Sequence, residues 1–221
     1  MRKILFVLSL MLAIVSCKKD DEELTPAEKS VADNETIIEY LKEYRLVDFY
    51  PGMMLNNIDW QMEKIPEEEL ETSESLYDLM SENVIETSFE GVDYKIYYYI
   101  IDEGEGGVYP ETEDNIVVDY NGFNLTATTV FDESVLAPLQ FQLESLIPGW
   151  KEGLLKFKTG VKPEGFPLDP ESDYDYHDPY REQIVNPGRG FLIIPGGMAY
   201  GNIVRFDIVL YDKITPETEE E

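Results

Sequence analysis

The chain has 221 residues, with 46 Asp and Glu against 17 Lys and Arg, and a formal net charge of −29. That length holds one large or two small domains, and so acidic a surface repels phosphate backbones, which sets nucleic acid aside as a partner. With one His and one Cys, the usual nucleophiles are almost absent.

Residues 1–16 open on the basic Met1-Arg2-Lys3 and continue as ILFVLSLMLAIV, an apolar run too short to span a bilayer. The run ends in Ile14-Val15-Ser16-Cys17, which resembles a bacterial lipobox. The resemblance implies a signal peptide over 1–16 and a mature chain that begins at a lipidated Cys17. Its net charge would be near −31 once Arg2 and Lys3 are removed. A multi-chain lipid would anchor it stably to a membrane, and no thiol would remain for a disulfide or for catalysis. The following KKDDEE is similar to the Lys-then-acidic signal that directs lipoproteins of the Bacteroidetes to the cell surface. An outer-membrane lipoprotein, exposed at the surface, is the expectation; an ordinary secretory signal is the alternative.

Residues 17–33 are polar and lack apolar periodicity, and they read as a flexible tether. In DNETIIEYLKEYRL, Ile37, Ile38, Leu41 and Tyr44 share one face, which predicts a helix capped by Asp33 or Asn34. A short strand fits residues 58–65, PEEELETSES reads as acidic loop, and SLYDLM as one or two helical turns. Residues 34–90 thus form a small mixed, partly helical N-terminal region, in which Trp60 and the methionines read as packing.

Near Val92 the texture changes. VDYKIYYYII is aromatic and β-branched and reads as a strand. DEGEGG is a turn. NIVVDYNGF is a second strand that ends in an Asn121-Gly122 turn, and TATTVFDES and PLQFQL are two shorter ones. SLIPGWKEGLLKF is the one strong helix, with Pro148 in its first turn and Trp150, Leu154 and Leu155 facing a sheet. RGFLIIP and VRFDIVLYDKI are the last strands, and residues 214–221 are a disordered acidic tail. Strands arranged around a single amphipathic helix predict an α+β fold, an antiparallel sheet with the helix across one face.

VDYNG, VFDES, PLQFQLESLIPGWKEG, FLIIPGGMAYG and VRFDIVLYDKI, in that order, resemble the FKBP-type peptidyl-prolyl cis-trans isomerase family over residues 91–213. The resemblance implies a curved antiparallel sheet wrapped around one short helix. It also implies a pocket with Tyr120 as a wall, Phe131 as an aromatic edge and Asp132 as a carboxylate. Ile147 would offer its backbone N–H to a ligand carbonyl, Trp150 would form the floor, Tyr200 would offer a hydroxyl, and Phe206 would close the back. Leu139, where many members have a bulkier aromatic, and Leu146 would complete the substrate-binding surface. Proline-containing polypeptides are the implied partners, and no cofactor is implied. Taken singly, each of these aromatics is as readily a core residue of a small domain; their joint order carries the resemblance.

Such chemistry suits a chain poor in nucleophiles. Rotating an X-Pro amide breaks no covalent bond, and its barrier of about 18–20 kcal/mol is lost C–N resonance. A dry cleft that holds the twisted amide better than the planar one is enough, and His177 has no part in it.

Three departures from the family pattern stand out. The loop after Met198-Ala199-Tyr200-Gly201 is short, so the cleft should be open and wet. No Arg lies close in sequence to Asp132. An insertion spans 161–188; its Asp169, Glu171, Asp173 and Asp175 fail the EF-hand pattern, with Tyr174 at the sixth position and Tyr180 at the twelfth. A solvated loop or a partner-contact surface is expected there, without metal. The expected function is a peptidyl-prolyl isomerase that assists folding of exported proteins at the cell envelope. The alternative, favoured by the short loop, is a catalytically weak polypeptide-binding or chaperone module. A third reading, a surface protein that binds glycan or a host ligand through the Tyr- and Asp-rich insertion, rests on composition alone.

Overall fold

The structure, a computed structural model, describes residues 23–48, 57–125, 129–166 and 179–216. The leader, Cys17, the acidic stretch of the insertion with Asp169, Glu171, Asp173, Asp175 and His177, and residues 217–221 lie outside the described residues.

In chain order the elements are α1 (Pro26–Glu43), β1 (Tyr44–Asp48), β2 (Trp60–Lys64) and α2 (Leu76–Met80). Then come β3 (Val84–Phe89), β4 (Val92–Asp102), β5 (Asn115–Asn124), β6 (Thr129–Glu133) and β7 (Leu139–Gln142). The last are α3 (Pro148–Leu154), α4 (Pro179–Gln183), β8 (Gly188–Ile194) and β9 (Val204–Ile214). Strands β3 to β9 form one sheet in the order β3-β4-β8-β9-β5-β6, with β7 also paired to β5, and β1 and β2 form a separate hairpin. Every pairing is antiparallel. This is the expected α+β arrangement.

Side chains of a strand alternate between faces, and here both faces are covered. On the inner face, Ile96, Ile116, Val118, Tyr120, Leu192, Ile194, Phe206 and Ile208 pack against Trp150 and Leu154 of α3. On the outer face, Tyr97, Phe191 and Ile193 pack against Ile37, Tyr40, Leu41, Leu76 and Met80 of α1 and α2. The switch is legible within β4. Asp93 and Lys95 point outward and are exposed, but from Tyr97 onward the outward positions are apolar as well. There the helices lie on the sheet. Coverage on both sides is also why β9 is buried from Val204 to Asp212.

Several expectations are corrected. Helix α1 begins at Pro26, inside the segment read as tether. Thr25 and Glu28 form a capping box, with the Thr25 N–H donating to Glu28 Oε2 at 2.9 Å and the Glu28 N–H to Thr25 Oγ1 at 3.3 Å. Asp33 therefore sits in mid-helix; instead of capping, it accepts the Gly196 N–H at 2.8 Å. The sheet begins at Val84, not after residue 90. Helices α1 and α2, with Trp60 and Met62 of β2, cover the outer face of the sheet. Asn121 and Gly122 do not turn, since β5 runs on to Asn124. At the C-terminus, Thr215 lies within the segment read as tail, yet its hydroxyl donates to the buried Asp114 at 2.7 Å.

Candidate functional site

Four rings meet between α3 and the inner face. Pro148 occupies the first turn of α3, and Trp150 follows two residues later, 3 % exposed. Tyr120, Phe141 and Phe206 stand perpendicular to its indole, at interplanar angles of 89°, 89° and 88° and centroid distances of 5.4, 6.1 and 4.9 Å. Edge-to-face contacts of this kind suit the ring quadrupoles and hold the three rings upright on the indole. Phe131 adds a fifth ring, 5.6 Å from Phe206 at 87°. It is 54 % exposed, at the rim.

Local backbone features explain how the rings are aimed. Gly122 pairs with Asp132, but Phe123 pairs with Val130, so Phe131 is the extra residue of a β-bulge. A bulge bends the strand and re-aims a side chain, and here it turns Phe131 onto Phe206. Gly122 leaves room for both rings, since a Cβ there would lie 2.9 Å from Phe131 Cζ and 2.9 Å from Phe206 Cε1.

At the rim the Tyr120 hydroxyl donates to Asp132 Oδ2 at 2.7 Å. Burial pushes the Tyr120 phenol well above its ordinary range, and the Asp132 carboxylate adds to the effect. The hydroxyl therefore stays protonated and remains a donor at any physiological pH. Leu146 and Ile147 lie at the entry to α3, half-buried against the same core. The Ile147 carbonyl accepts from the Trp150 and Lys151 amides at 3.0 and 3.3 Å. Leu139, 38 % exposed, is two positions before Phe141 on β7 and so on the same face.

Tyr120, Phe131, Asp132, Trp150 and Phe206 thus come together, with Leu146 and Ile147 packed beside them. Tyr200 does not join the rings. It is 82 % exposed, has a left-handed φ of 55°, and pairs with no ring among the described residues. Its neighbours Met198 and Ala199 do pack on the inner core, so the turn belongs to this side of the sheet. Phe141 was not foreseen. The signal lay in the alternation of PLQFQL, which puts residues 139 and 141 on one face.

The insertion also departs from expectation in its described part. Ile184 is buried in an outer-face cluster with Trp60, Val209 and Tyr211, and Val161 and Val185 form a β-bridge. Arg181 pairs with the fully buried Asp119.

Residues 106–188 match the family profile of the FKBP-type peptidyl-prolyl cis-trans isomerases. The FKBP-type peptidyl-prolyl cis-trans isomerase FkpA of Escherichia coli K12 is 37% identical over 83 residues, 37% of this chain and 28% of that protein. The outer membrane protein MIP of Legionella longbeachae is 40% identical over 73 residues, 32% of this chain and 30% of that protein. The match therefore spans under a third of these relatives' own length. The crystal structure of E. coli FkpA superposes with a TM-score of 0.41 at 27% identity, over 61% of this chain and 53% of that one.

Proposed function

We propose that this chain, with its FKBP-type segment at 106–188, is a peptidyl-prolyl cis-trans isomerase that acts on exported polypeptides at the cell envelope. The observation that carries this is the box around Trp150, three perpendicular rings on an indole floor with a hydroxyl–carboxylate pair at its rim. A prolyl ring laid on the indole is held by dispersion and kept from water. The twisted amide carries less charge separation than the planar one, so apolar walls favour it at the top of the barrier. The Ile147 N–H, at the N-cap of α3, would fix the carbonyl preceding the proline. About 4 kcal/mol gained in this way is roughly a thousandfold in rate.

The test is a proline-peptide isomerisation assay. Wild type should be active, and Trp150→Leu and Tyr120→Phe should each lose most of that activity with unchanged circular dichroism. Tyr200→Phe should change little, because Tyr200 stands outside the rings. A folded but inactive wild type would instead support the second reading, a polypeptide-binding module, which the exposed Tyr200 and the short 201–204 connection favour.

The envelope location rests on Cys17 and its lipobox-like surroundings. Lipidation of Cys17 would tether the domain to the outer membrane through the residues that precede α1. Cys17→Ser should leave the protein unprocessed or soluble; membrane fractionation identical to wild type would remove the lipid anchor from the proposal.

A further inference from the structure

We propose that Arg181 is a positioning residue for the cleft, through which residues 179–188, the described second part of the insertion, act as a strap on the connection between β6 and β7. This rests on the reading of the Trp150 box as the working site. Arg181 grips Asp119 with a two-point fork, Nε to Oδ2 at 2.8 Å and Nη2 to Oδ1 at 2.6 Å. Its remaining nitrogen, Nη1, donates to the carbonyls of Leu136 and Val135 at 3.1 and 3.4 Å. The guanidinium thus spans from the outer face of β5 to the 134–138 connection.

Most side chains of that connection are at least partly exposed. Between Phe131 and Gln140 only Ser134 is buried, and Leu136 is 89 % exposed. Ser134 belongs to the same network. Its hydroxyl donates to Asp119 Oδ1 at 2.7 Å and accepts the Tyr120 N–H at 3.0 Å, and its own N–H donates to the Tyr120 carbonyl at 3.0 Å. Asp119 also accepts the Tyr211 hydroxyl at 2.8 Å. The connection joins β6, which bears Phe131 and Asp132, to β7, which bears Leu139 and Phe141. Arg181, together with Ser134, therefore holds the connection between two cleft walls from behind the sheet. A fork is needed because a fully buried carboxylate demands paired, directional donors, and a two-point grip fixes orientation as well as distance. The insertion holds Arg181 in place with Ile184, 5 % exposed, and with the Val161–Val185 bridge.

The test uses the full chain with Arg181→Met and Arg181→Lys, read by amide hydrogen exchange and by steady-state isomerisation of a prolyl peptide. In Arg181→Met, exchange should rise in residues 131–142 while the amides of β8 and β9 keep wild-type protection. The ratio kcat/KM should fall on the order of ten- to a hundredfold, the scale of an ångström-sized misplacement. Arg181→Lys keeps the charge opposite Asp119 but lacks the fork. It should fold as wild type does and fall between the two in both readouts. Exchange unchanged in 131–142, or raised equally in β8 and β9, overturns the proposal, as does kcat/KM unchanged in both variants of an active enzyme. An inactive wild type with the local exchange effect intact would retire the isomerase reading while leaving the hold of Arg181 on the connection demonstrated.

Discussion

At the scale of single residues, the cleft depends on where small and polar groups are placed among the rings. Gly122 is the clearest case. An added methyl would meet Phe131 and Phe206 at 2.9 Å; Phe206 is buried and Phe131 half-exposed, so Phe131 is the ring that gives way. Gly122→Ala should thus cost about 1 kcal/mol of stability, the low end for overpacking, yet lower kcat/KM by roughly tenfold by moving a wall. Thermal unfolding alongside the isomerisation assay measures both, and a large loss of stability with unchanged activity would contradict this account. The buried phenols make a second prediction. Burial, aided by Asp132 and by Asp119, raises Tyr120 and Tyr211 above the ordinary tyrosine range. A phenol raised in the folded state stays protonated while the unfolded chain ionises. Its contribution is therefore complete below about pH 10 and is lost as pH rises beyond that. Stability should fall by about 1.4 kcal/mol per pH unit for each such tyrosine, and Tyr211→Phe should make the decline shallower. Urea unfolding on either side of that pH would reveal a flat profile if the phenols were not suppressed.

At the scale of elements, the site depends on how closely α3 lies on the sheet. Gly149 is the contact point, where a Cβ would lie 2.2 Å from Ile194 Cγ2. Helix propensity favours Ala over Gly by at most about 1 kcal/mol, whereas overpacking a stiff β-branched neighbour costs about 1–3 kcal/mol. Packing wins, so Gly149→Ala should destabilise. Because the helix must lift, Trp150 should become more exposed, which a red shift of its fluorescence would report. A stabilised variant with unshifted emission would mean that α3 tolerates the methyl and does not sit as described. The neighbouring turn is held from the opposite side by α1. Asp33 binds the Gly196 amide and Lys29 reaches the Gly201 carbonyl at 3.3 Å, while Ser30 Oγ ties the same helix to the Asp93 carbonyl of β4 at 2.6 Å. The helix that covers the outer face thus also fixes the segment that carries Tyr200.

At the scale of the molecule, α1 and α2 are part of the fold and not an appendage. Ile37, Tyr40, Leu41, Leu76 and Met80 are all buried against the sheet. At about 1.5–3 kcal/mol for each buried side chain, these five contribute on the order of 10 kcal/mol, comparable to the whole stability of a typical domain. Beneath the same cover, Arg205 is paired with Asp207 and bonded to the Tyr40 hydroxyl at 3.1 Å. Losing α1 would leave that ion pair short of a partner, a further cost. A chain that begins at Val84 should therefore aggregate or lack a cooperative unfolding transition. A soluble, cooperatively melting and active 84–221 fragment would show that the cover is dispensable.

What the sequence determined by itself was the inner half of the domain. Alternating apolar runs in β4, β5, β8 and β9, and the Pro148-Gly149-Trp150 start of α3, are local signals whose periods match the elements they form. The order of five short motifs was enough to name Tyr120, Phe131, Asp132, Trp150 and Phe206 together. The start of α1 was equally local, since Thr25-Pro26-Ala27-Glu28 spells a capping box, but the polar run around it concealed the signal. The tertiary structure alone decided the rest. No period in the sequence distinguishes an outward Tyr97 or Phe191 that meets solvent from one that meets a helix. No spacing links Arg181 to Asp119, 62 residues away. Tyr200 had the right motif but the wrong environment. Burial, and the pairing of charges it enforces, depends on contacts between segments distant in the chain, and those exist only once the sheet and its two covers have assembled.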